Sequence, residues 1–108
     1  MEPYYVCKHL GNAVEELLTR DAPLLDRLKA AFLESCLLFE EEEGDAGIDP
    51  RALPHIQKLR AARETDPEAP ETGAWYRLEQ MEPEERESLA RAFLRAFIFQ
   101  AELAKIKP

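Results

Sequence analysis

The sequence predicts an all-α protein: a compact bundle of four to five helices with the C-terminal helix at its centre. Three observations carry this expectation. Apolar residues recur at helical spacing along most of the 108 residues. No segment carries the four clean apolar–polar alternations that a half-buried strand requires. The periodic segments are separated by proline and glycine, the residues that most often end regular structure. With 45% hydrophobic and 33% charged residues the chain can close one core and solvate its outside. Its length suits a single domain, so residues 1–108 are expected to fold as one unit.

The first helix is expected from about Pro3 to Thr19. Val6, Leu10, Ala13, Val14 and Leu17 fall on one stripe, with Cys7 and Leu18 at its margin. Asp21 is expected as the N-cap of a second helix, with Pro23 in the first turn, where its missing N–H has no intrahelical partner to lose. Leu24, Leu25, Leu28, Ala31, Phe32, Cys36 and Phe39 make its face, and the pattern runs on to Glu40–Glu43 before Gly44 and Gly47. Four carboxylates there oppose the helix dipole. Asp49-Pro50 opens a short turn, and a third helix begins near Pro54 and ends about Arg63. Residues 64–73, with Pro67, Pro70 and Gly73, read as an exposed loop. Trp75, Leu78 and Met81 recur in a short helical piece, with Trp75 expected to plug the core beside Met81. Glu82-Pro83-Glu84-Glu85 then starts the last helix, from about Pro83 to Lys105.

That last helix carries more apolar surface than one neighbour can cover. At about 100° per residue, Leu89, Phe93, Ala96, Phe97 and Ala104 form the centre of its face. Phe99 and Ala92 widen it on one side, Ala101 and Leu94 on the other, and Ile98 lies close to the polar strip of Arg91, Arg95 and Glu102. The second helix repeats this more weakly, with Leu33 and Leu37 beside Ala30, away from its main stripe. Either helices of the same bundle cover these surfaces or another molecule does. The expectation carried forward is a homodimer, with Leu33, Leu37, Ile98 and Phe99 as partner-binding residues.

Charge and motifs narrow the function classes. A net charge of −8 argues against sequence-independent binding to nucleic acid or an anionic membrane, since both require lysine and arginine to replace counterions. No apolar run reaches the ~18 residues that span a bilayer. The start Met1-Glu2-Pro3-Tyr4-Tyr5 lacks the basic and apolar regions of a secretory signal. With only Cys7 and Cys36 there is no disulfide framework, and a cytoplasmic location is expected.

Cys7, His9, Cys36 and His55 match a zinc ligand set by type, but their spacing forms no compact chelate, and both cysteines sit at edges of core stripes. Glu40–Glu43 with Asp45 and Asp49 offers hard oxygen ligands without the spacing of a calcium loop, and reads as a solvated charge run. Arg51, Lys58, Arg60 and Arg63 concentrate positive charge just after it, and pairing across the turn is the expectation for them. Phosphate-binding, metalloprotease and serine-elbow motifs are absent, so no catalytic residue and no cofactor is expected. The functional expectation is a small acidic cytoplasmic protein-interaction or regulatory module. The alternative is a metal-dependent enzyme or metal-binding protein using Glu40–Glu43 or the Cys/His set.

Overall fold

The computed structural model describes residues 2–39, 45–62 and 76–106. Helix α1 spans Pro3–Thr19, as its apolar periodicity predicts. Pro3 opens it, and the carbonyl of Glu2 accepts the N–H groups of Tyr5 and Val6 at 3.0 and 3.1 Å. Val6, Leu10, Ala13, Val14 and Leu17 are buried along one face.

Helix α2 spans Leu24–Glu34, and both its ends differ from the expectation. At the start, Pro23 is the cap and Asp21 lies exposed two residues before it. Pro23 adopts an extended ψ of 156°, which aims its carbonyl at the N–H of Arg27, 3.1 Å away. The Arg27 guanidinium then turns back to donate to the carbonyls of Leu17 and Ala22 at 2.8 and 3.0 Å, and so holds the α1–α2 turn from inside α2. At the other end the helix stops at Glu34 instead of running on to the glutamates. Ser35 is fully buried, and its hydroxyl donates to the carbonyl of Ala31 at 2.7 Å. A serine bonding back one turn competes with the regular ladder, and the chain tightens into a 3-10 turn over Cys36–Phe39. That turn buries Leu38.

Asp49 begins the next segment. Its carbonyl accepts the N–H groups of Ala52 and Leu53 at 2.8 and 3.1 Å, and its carboxylate accepts that of Arg51 at 2.7 Å. Helix α3 follows at Leu53–Ala62, with Pro54 in its first turn, and buries Ile56, Leu59 and Ala62. Helix α4, Tyr76–Gln80, is a single short piece that seats Leu78 in the core, with Met81 packed against it. Helix α5 spans Pro83–Ile106, and Glu84 and Glu85 in its first turn complement the helix dipole. Glu40–Glu43, Arg63, the 64–73 loop and Trp75 lie outside the described residues.

The bundle is built around α5, which packs against α1, α2 and α3, while α1 also packs on α2. Phe93 of α5 meets Phe32 of α2 edge to face with centroids 5.0 Å apart, inside a core that includes Leu10, Leu28, Ile56, Leu59 and Ala96. Gly11 lets α1 approach α5 closely: a Cβ there would stand 3.2 Å from the Phe97 ring. Among the described residues, no helix is long and apolar enough to cross a membrane.

Candidate functional site

Two parts of the molecule stand out, and the first is polar. Gln100 interrupts the apolar pattern of α5, yet it is fully buried. Its amide nitrogen donates to the carbonyl of Gly47 at 2.7 Å and to that of Pro3 at 3.3 Å, and its oxygen accepts the N–H of Asp49 at 2.9 Å. One side chain of the central helix thus ties down both the start of α1 and the turn before α3. Beside it, Arg51 grips the buried Asp49 carboxylate at 2.9 and 3.1 Å and reaches Glu102 of α5 at 2.9 Å. The guanidinium lies 4.9 Å from the centroid of Phe99, a cation–π distance. His55 stacks on the same ring at 6.1 Å and 16°.

The charges follow from these contacts. The hydrogen bond from Arg51 holds the Asp49 carboxyl below the usual carboxylate range, against the opposing effect of burial. Burial, then the nearby Arg95 and Lys58, push the His55 imidazole below its ordinary value. Asp49 is therefore a closed structural ion pair, not part of a solvated charge run. The basic residues around it act as braces: Arg60 reaches Asp45 at 2.9 Å and the carbonyl of Leu38 at 3.0 Å, and Lys58 donates to the Ser88 hydroxyl.

The second part is apolar. Leu18 is 77% exposed, Leu94 44% and Ile98 46%. Leu18 and Leu94 line a cleft of about 210 Å³ between α1, α2 and α5, floored by Val14, Leu17 and Leu24 and bordered by Arg27 and Arg91. Leu94 and Ile98 are one helical turn apart, so the cleft continues along α5 as an exposed strip. A second cleft of about 250 Å³, between α3, α4 and α5, is lined by Lys58, Arg77, Glu85 and Ser88 as well as apolar groups, and Lys58 there already donates to the Ser88 hydroxyl.

Of the four residues expected to bind a partner, the three whose side chains are described do not form one patch. Ile98 is exposed on the outer strip of α5. Phe99, the next residue, is half-buried and covered by Arg51 and His55 of its own chain. Leu33 is 64% exposed but projects about half a turn away from Leu24, which lines the cleft, so it faces another side of α2. The side chain of Leu37 lies outside the described residues.

Sequence reasoning missed Leu18 and Leu94 as the partners of Ile98. The Leu94/Ile98 spacing was the available signal. Gln100 was missed as well, because a lone glutamine on an apolar helix has no sequence mark that separates a buried clamp from a polar interruption.

Of the candidate metal ligands, Cys7, His9, Cys36, Asp45, Asp49 and His55 are described. Among the described residues, no three histidine, cysteine or acidic side chains could hold a metal ion together. His9 Nδ1 lies 3.4 Å from the carbonyl of Glu34, and His55 is engaged with Phe99. Cys7 and Cys36 are half-buried free thiols, and burial pushes the Cys7 thiol up, away from the reactive thiolate.

Compared with known proteins, the chain matches no family model, no curated protein and no solved structure.

Proposed function

We propose that this chain is a protein-interaction module of the cytoplasm, without catalytic activity of its own, that binds its partner through the face shared by α1 and α5. The observation that supports this reading is the exposed apolar set of Leu18, Leu94 and Ile98 around the α1–α2–α5 cleft. Among the described residues, no buried side-chain nitrogen or oxygen atom lacks a hydrogen-bond partner. A surface of this kind is the ordinary mark of an interaction site. The free thiols suit a reducing compartment.

Sedimentation velocity on the purified chain at micromolar concentration tests the reading. Species heavier than the 12.4 kDa monomer, lost in Leu94→Arg, are expected. A clean monomer at every concentration removes its main support. Leu94 is exposed enough for the arginine to be accommodated without unfolding the bundle.

A further inference from the structure

The outer face of α5 carries a charge order that is complementary to itself. Glu87 and Lys105 lie five whole turns apart at about 3.6 residues per turn, so they project along one line. Leu94 and Ile98 fall about 20° to either side of that line, midway between the two charges, and Arg91 and Glu102 fall together on one flank. Read from the N-terminal end, the stripe runs acid, base, leucine, isoleucine, acid, base. Turning it end for end sets Glu87 opposite Lys105, Leu94 opposite Ile98, and Arg91 beside Glu102.

All six residues are exposed, and of them Glu102 is already paired with Arg51 of its own chain at 2.9 Å. The Glu87, Arg91 and Glu102 side chains are 57%, 64% and 54% exposed, Leu94 and Ile98 are 44% and 46%, and Lys105 is exposed. Within the chain, Arg91 meets Glu87 only at 3.9 Å, a contact too long to hold either group.

Resting on the reading above, we propose that the occupant of this face is a second copy of the chain, with the two α5 helices antiparallel about a two-fold axis near residue 96. An isologous pair requires a patch that matches itself when turned, and opposite charges at the two ends of an apolar centre meet that requirement. A parallel pairing would set Glu87 against Glu87 and Lys105 against Lys105. The 24-residue helix is about 36 Å long, and a face ~10 Å wide gives about 350 Å² a side. With the neighbouring Leu18 face of α1, the total approaches the ~1,000 Å² of the smaller specific interfaces, so micromolar association is the scale expected.

The test is sedimentation equilibrium at about 150 mM salt, where long-range repulsion is largely screened, on the parent chain, Glu87→Lys, Lys105→Glu and the double variant. Each single variant is expected to raise the dissociation constant about tenfold, and the double variant to return within about threefold of the parent. The single changes shift the net charge in opposite directions, so weakening by both cannot come from net charge. Singles without effect, or a double variant no better than the singles, would overturn the antiparallel pairing. If Leu94→Arg still dissociated the assembly, the α1–α5 face would stand as an interface in another register. A parent chain that stays monomeric overturns both.

Discussion

The side-chain oxygen of Gln100 accepts the backbone N–H of Asp49 at 2.9 Å, joining residues 51 positions apart in a fully buried contact. The same amide holds the carbonyls of Gly47 and Pro3. Replacing Gln100 with leucine keeps the bulk but leaves one N–H and two carbonyls without their partner. A loss of about 2–4 kcal/mol in urea unfolding is expected, since unpaired buried polar groups cost about 1–3 kcal/mol each and part of the loss relaxes. A loss within about 0.5 kcal/mol, the scatter of surface changes, would mean the amide is not a clamp.

Asp49 makes stability depend on pH in a known direction. Its folded-state value lies below the unfolded one of about 3.9, so the ionised carboxylate stabilises the fold. That contribution is fully present above about pH 4 and is lost as the pH falls through the lowered folded-state value. Asp49→Asn is therefore expected to melt below the parent at pH 7, with the gap narrowing below pH 4. Thermal melts of both chains across pH 2.5–7, about the range over which a paired aspartate titrates, check this. A gap that is constant with pH would contradict the ion pair.

Self-association should respond to salt in the sense opposite to a contact made mainly of ion pairs. Two copies that each carry a net charge of −8 repel over distances that salt screens, whereas the apolar centre formed by Leu94 and Ile98 is indifferent to it. Raising sodium chloride from about 20 to about 150 mM is expected to tighten the dimer several-fold in sedimentation equilibrium. Weakening over that range would show that charge pairs, not the apolar strip, dominate.

Much of the fold was legible because its cues are local. Pro3 and Pro83 mark helix starts through a missing donor, and the bounds of α1 and α5 follow from them to within a residue. The end of α2 was not legible: Cys36 and Phe39 continue the helical spacing past Ser35, and the hydroxyl bond to Ala31 that ends the helix depends on burial. The surplus apolar width of α5 was legible too, but its division was not. Angle around a helix does not say that the turn before α3 supplies Arg51 and α3 supplies His55 to cover Phe99 while nothing among the described residues covers Ile98 to the same extent. Gln100 shows the same limit from the polar side, since its three partners come from two distant segments.

Amide chemical shifts followed by NMR as the protein is diluted from about 500 to about 10 micromolar, across the range where a micromolar dimer dissociates, test the α5 interface most directly. Shifts concentrated at Leu18, Arg91, Leu94, Ile98 and Glu102, with Leu33 unmoved, are the predicted result. Shifts gathered around Leu33 on α2, or none at any residue, would contradict it.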